Sequence, residues 1–257
     1  MKVLITGASS GIGKDMAKIF ARKADELVLV ARDTAKLEEV KKELEKYTKI
    51  EIISKDLSIE ENCKEIHNKV QNVDILINNA GFGDCGNFTK TSLDKDINMI
   101  KTNVIAYHIL TKLYLTDMKQ KNSGKILNVA SIAGFMPGPL MATYYATKNY
   151  VVKLSESIRE ELKKEHSKVQ ISILCPGPVE TNFNKVANVD FHLREADSMQ
   201  VAKYAIEKLE KGKFYIVPGI DVKIARLGAK ILPANIISKF TDIAQKRKLG
   251  ENKFLYR

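Results

Sequence analysis

Long apolar runs are missing from this chain of 257 residues, and nothing in it approaches the roughly 18 consecutive apolar residues that a membrane span needs. At its start only Val3, Leu4 and Ile5 precede Thr6-Gly7, too short a run for the apolar region of a signal peptide, so an intracellular, cytoplasmic protein is expected. Cysteine is scarce. Cys63, Cys85 and Cys175 are odd in number and lack metal-ligand spacing, which argues against a disulfide framework or a thiolate metal site and suits free thiols in a reducing compartment. Cys175 ends the apolar run from Ile171 and reads as a small buried hydrophobe. Internal repeats, low-complexity linkers and composition breaks are also lacking, so no domain boundary is evident.

What remains is the balance of a soluble globular domain, with 44% hydrophobic and 28% charged residues. The net charge of +11 raises the question of nucleic acid, but the lysines are spread along several helices, as at Lys41, Lys42, Lys46 and Lys49, so no nucleic-acid partner is expected. Short β-rich runs alternate with stretches of helical period. Strands are predicted at Lys2 to Thr6, Glu26 to Ala31, Ile50 to Ser54, Val73 to Asn78, Lys125 to Ala130, Val169 to Leu174 and Lys213 to Val217. Helices are predicted at about 11–24, 35–46, 59–70, 93–120, 143–165 and 199–211, and Ser58 followed by Glu61 reads as a capping box for the third. This alternation predicts the α/β class: a Rossmann-type, doubly wound parallel sheet of seven strands. The stretch from Pro176 to Asp197 lacks a period, and a loop of that length is more often functional than idle.

The first strand runs into Thr6-Gly7-Ala8-Ser9-Ser10-Gly11-Ile12-Gly13 and then into a helix. Glycines serve where a backbone turns with positive φ or approaches a pyrophosphate closely, and the helix N-terminus offers free N–H groups to the anion. The spacing Gly-x3-Gly-x-Gly differs from the common dinucleotide fingerprint. Arg32 follows the second strand. A carboxylate there would bind a ribose, whereas an arginine pairs with a 2′-phosphate, so NADP(H) is preferred over NAD(H), which stays possible because Asp33 is adjacent. Asp56, past the third strand, either meets the adenine amino group or starts the next turn.

Tyr144 and Lys148 are four apart at the start of a helix and so share a face. A free phenol, with pKa about 10, is a poor acid or base at neutral pH, and a nearby ammonium is expected to lower it. Tyr145 competes, but its +4 neighbour is the uncharged Asn149. Ser131 closes the fifth strand, at the edge where open α/β sheets bind ligands, and Asn103 lies inside an amphipathic helix. Each has a structural alternative, a turn serine and an asparagine facing water.

Taken together, Thr6-Gly7-x3-Gly11-x-Gly13, Asn78-Asn79-Ala80-Gly81, Asn103, Ser131, Tyr144-x3-Lys148 and Pro176-Gly177 follow the order and spacing of the short-chain dehydrogenase/reductase family, and over residues 1 to about 220 the chain resembles its single-domain form. The resemblance implies that Ser131 holds a substrate carbonyl, Tyr144 exchanges its proton, Lys148 binds the nicotinamide ribose and Asn103 supports a relay water. It implies a cofactor site that includes Gly7, Ser9, Ser10, Gly11, Ile12 and Gly13 in the turn, with Arg32, Asp56 and Leu57 at the adenosine end. Asn79, Ala80 and Gly81 would line its middle, and Pro176, Gly177, Val179 and Thr181 would complete it beside Tyr144 and Lys148. A small-molecule carbonyl or alcohol is then the substrate, and the assembly is expected to be a homo-oligomer, dimer or tetramer. Pocket candidates are Phe135, Met136, Pro137, Met141, Phe183, Val186, Val189 and Phe191, which favour a hydrophobic ketone. A dinucleotide sensor without catalysis would predict a broken Ser/Tyr/Lys set, and this set is intact.

Residues 1–220 are thus expected to form the catalytic domain and 221–257 a basic amphipathic helical extension of it. In that extension Ile224, Leu227, Gly228 and Ile231 recur at helical spacing opposite Lys223, Arg226 and Lys230, and after Pro233 a second apolar face holds Ile236, Ile237, Phe240, Ile243 and Ala244. From Val222 to Lys248 there are seven Lys/Arg and one acid, Asp242. Such helices either pack over the substrate mouth or a sister subunit, the favoured expectation, or make a weak contact with an anionic membrane surface, as in a lipid-ketone reductase.

Overall fold

A computed structural model describes residues 1–181, 183, 187 and 195–248. Its strands are β1 (Lys2–Thr6), β2 (Glu26–Ala31), β3 (Lys49–Ser54), β4 (Ile75–Asn78), β5 (Lys125–Val129), β6 (Gln170–Leu174) and β7 (Tyr215–Ile216). They form one parallel sheet in the order β3-β2-β1-β4-β5-β6-β7. The helices are α1 (Gly11–Phe20), α2 (Thr34–Leu44), α3 (Glu60–Lys69), α4 (Leu93–Ile100), α5 (Ala106–Lys121), α6 (Ala142–Lys164), α7 (Ser198–Glu210), α8 (Ile220–Ile231) and α9 (Ala234–Lys248).

Both faces of the sheet are covered, which is why the central strands β1, β2 and β4 are mostly apolar, while the outer β3 carries the exposed Lys49 and Ser54. Alternate side chains of each strand enter two separate cores. Val3 and Ile5 of β1 face Met16 and Phe20 of α1, with Val201, Ala205 and Leu209 of α7 on the same side. Leu4 faces the other way, with Tyr107, Leu110 and Tyr114 of α5 and Val151 and Val152 of α6.

The chain passes from β1 outward to β2 and β3, then returns to β4 on the other side of β1. This reversal opens a crevice at the carboxyl ends of β1 and β4, the place where open sheets bind ligands. Thr6 fixes the crevice: its Oγ accepts from the backbone N–H groups of Asn79 (2.9 Å) and Ala80 (3.0 Å). Behind it Asn78 donates to Thr111 Oγ (3.0 Å) and Asn128 Oδ1 (2.9 Å), and Asn128 donates to Ser155 Oγ (2.9 Å), so a buried polar network ties β4 and β5 to α5 and α6.

Two local expectations are corrected. Ser58 does not cap α3: the Asp56 carboxylate accepts from Ser58 N–H (2.9 Å) and the Asp56 carbonyl accepts from Asn62 (2.8 Å), which shifts the N-cap to Ile59. The helix predicted at 93–120 is divided by a π-helical turn over Lys101–Ile105. On α8 the stripe of Ile224, Leu227 and Ile231 is exposed on this chain, which leaves it to a sister subunit or a membrane surface, and α8 is anchored by buried Val222 and by Arg226, stacked 3.6 Å from the Tyr215 ring centroid.

Candidate active site

The turn after β1 is built from glycines for steric reasons. Gly7 has φ +64°, and a Cβ on it would lie 2.8 Å from Ala80 Cα; one on Gly13 would lie 2.4 Å from the Gly7 carbonyl. Ser10 stands at the N-cap of α1 without a side-chain cap, which leaves the first N–H groups of that helix to other partners. Gly7, Ser9, Ser10, Gly11 and Ile12 open onto a cavity of about 490 Å³. The same cavity is lined by Arg32, Asp56 and Leu57, by Asn79, Ala80 and Gly81, by Pro176, Gly177, Val179 and Thr181, and by Ser131, Tyr144 and Lys148. Gly13 and Asn103 are not on its wall; Gly13 supports Gly7 from behind.

At the adenosine end, the Arg32 guanidinium is largely exposed and lies 3.9 Å from Asp56. Asp33 is already engaged. Its carboxylate caps α2 by accepting from Lys36 N–H (3.1 Å) and pairs with the Lys36 ammonium (3.0 Å), which together hold it below the usual carboxylate range. Lys36 and Lys55 line the cavity beside Arg32 and go beyond the sequence expectation, although Lys36 stands in the first turn of the helix that follows Arg32.

At the other end, Ser131 and Tyr144 line the same stretch of cavity wall, and the Ser131 hydroxyl donates to the Pro176 carbonyl (3.5 Å). Ser131 also accepts from Ala133 N–H (3.2 Å), which fixes its position at the end of β5. Lys148 lies one helical turn after Tyr144, with its Nζ donating to the Val129 carbonyl (2.9 Å) and standing 5.9 Å from the Tyr144 ring centroid. Burial lowers the Lys148 ammonium to about 8 and raises the Tyr144 phenol to about 12, the latter opposed by the nearby Ser131 hydroxyl. The expected lowering of the phenol by Lys148 is therefore not found: desolvation sets the direction, and the opposing influence comes from Ser131.

Asn103 does not face water. It is 0% exposed, donates to the Phe82 carbonyl (2.8 Å) and Thr147 Oγ (3.1 Å), and accepts from Phe82 N–H (3.1 Å). Its side chain thus braces the segment after β4 against α6. Tyr145 also reaches the cavity wall, but its hydroxyl is taken up by buried Gln245 of α9, from which it accepts, and its ring packs against Gly138, where a Cβ would come within 2.3 Å. Of the pocket candidates, Met141 and Phe183 line the cavity, together with Phe82, Ile132 and Tyr145. Met136 packs in the small cluster around Ala133, Met141 and Tyr145. Phe135 instead supports Arg226 (5.1 Å), and the Pro137 carbonyl accepts from Thr241 of α9 (3.0 Å). Val186, Val189 and Phe191 lie outside the described residues.

A family model described as short chain dehydrogenase matches residues 1–190. The chain is 34% identical over 193 residues to an NADP-dependent 3-hydroxy acid dehydrogenase of Schizosaccharomyces pombe, covering 72% of this chain and 73% of that one. It is 32% identical over 191 residues to a dehydrogenase/reductase SDR family protein 7-like of Drosophila melanogaster, but spans only 58% of that relative's length. Among solved structures, a short-chain dehydrogenase from Sphingobium yanoikuyae in complex with NADPH superposes with a TM-score of 0.80 at 28% identity, covering 90% of this chain and 96% of that one. The chain belongs to the short-chain dehydrogenase/reductase family, whose members are oxidoreductases that bind a nicotinamide dinucleotide.

Proposed function

We propose that the protein is an NADP(H)-dependent reductase of hydrophobic ketones, able to run in reverse on secondary alcohols. The observation that carries this reading is that Ser131, Tyr144 and Lys148 line one cavity continuous with the glycine turn. The residues present fit a dinucleotide: a turn with no room for side chains, an uncapped helix N-terminus for phosphate and a basic cluster at the far end. When bound, the cofactor supplies a hydride to the carbonyl carbon. Ser131 and Tyr144 hold the carbonyl oxygen, and Tyr144 gives that oxygen its proton as the C=O electron pair moves onto it. Ser131 and the Lys148 ammonium then stabilise the phenolate that remains until it regains a proton from solvent. A phenol near 12 is fully protonated at neutral pH, the state that reduction requires.

Arg32, Lys36 and Lys55 support a 2′-phosphate, which would compete with their acids Asp56, Asp33 and Glu65; of the three cations Arg32 has the loosest pairing, at 3.9 Å. Phe82, Ile132, Met141, Tyr145 and Phe183 favour an apolar substrate. The test is a panel of ketones from small and polar to bulky and apolar, assayed for NADPH oxidation by the purified protein. Turnover that rises with apolar bulk is expected; turnover confined to small polar carbonyls contradicts the substrate class.

A further inference from the structure

The two helices after β7 carry a feature that hydride transfer does not use. Ile220, Ile224, Leu227 and Ile231 form one stripe on α8, and Ile236, Phe240 and Ile243 form another on α9; all are exposed, Leu227 to 59% and Phe240 to 64%. With Leu232 they make up half of the large apolar side chains exposed among the described residues. Neither stripe holds its helix in place. Val222 and Arg226 anchor α8, and Ile237, Thr241 and Gln245 anchor α9, each on the opposite side. Concentrated apolar surface of this kind marks an interaction site rather than ordinary exposure.

Charge selects the occupant. Lys223 and Lys230 lie along one flank of the α8 stripe and Lys239 along the α9 stripe, all exposed, in a chain of net charge +11. A second copy would set these like charges against one another, whereas an anionic bilayer supplies the opposite charge and an apolar layer for Ile, Leu and Phe. We propose that α8 and α9 rest on an anionic lipid surface, with their apolar stripes in the interfacial layer and their lysines among the headgroups. Because the inner face of α9 touches Pro137 and Tyr145, such docking also brings the cavity wall close to the bilayer, a consequence that rests on the proposed reductase function.

The test is sedimentation with vesicles of equal parts phosphatidylglycerol and phosphatidylcholine, or of phosphatidylcholine alone. The full chain is compared with Leu227→Gln/Phe240→Gln and with Lys223→Gln/Lys230→Gln/Lys239→Gln. Wild type is expected to bind the anionic vesicles, with binding reduced about tenfold in about 0.5 M salt. Both variants should bind at least about fivefold more weakly at unchanged melting temperature. Absence of wild-type binding, or equal binding by the variants, overturns the proposal. So does conversion of a wild-type dimer to a monomer by the apolar substitutions without vesicles, which would assign the face to a second copy. Since binding is read without turnover, its failure leaves the reductase reading untouched.

Discussion

Lys148 is 4% exposed and keeps its charge with one carbonyl, that of Val129, and the nearby tyrosine rings as partners. Burial lowers its folded-state pKa to about 8 from 10.5, so the unfolded chain binds more protons between those values and stability rises with pH across that window. Below it, the fold carries the cost of a buried cation. Lys148→Met is therefore expected to abolish turnover yet stabilise the cofactor-free protein at pH 7 by about 1–3 kcal/mol, a gain that shrinks as pH rises above 8. Denaturant unfolding at pH 7 and at about pH 9.5, near the middle of the window, measures this. Arg32 makes the second residue-scale prediction. Arg32→Asp should lower the kcat/KM preference for NADPH over NADH by about ten- to a hundredfold. An unchanged ratio would move the 2′-phosphate site away from Arg32.

At the scale of elements, the sequence is most readable where one local rule decides the outcome. Runs of Val, Ile and Leu mark the strands, and the four-residue spacing to Lys148 separates Tyr144 from Tyr145. The π-helical turn is not readable, because the helical period continues through Asn103 and its partner Phe82 lies on another segment. The side chosen by α8 is hidden for a similar reason: Arg226 finds Tyr215 and Phe135, and that stacking turns the apolar stripe outward. The grip of α9 on the substrate wall is equally hidden, since Gln245 and Tyr145 are distant in sequence. Gln245→Leu leaves the buried Tyr145 hydroxyl unpaired, which should cost about 1–3 kcal/mol of stability. It should also raise KM for the ketone about threefold or more while leaving cofactor affinity unchanged. A change in cofactor affinity instead would show that α9 acts on the whole site.

At the scale of the molecule, the sheet order places the glycine turn, the ends of β4 and β5 and the start of α6 around one crevice, so residues far apart in sequence share a single cavity. The central claim is that Tyr144 delivers the proton there. Tyr144→Phe removes only the hydroxyl, and Tyr145→Phe is its control. With NADPH and a hydrophobic ketone, the Tyr144 variant should lose at least about a hundredfold in kcat while its NADPH affinity is retained, and the Tyr145 variant should keep most of its kcat. A Tyr144 variant with more than about a tenth of the wild-type rate, beside an inactive Tyr145 variant, would contradict the account.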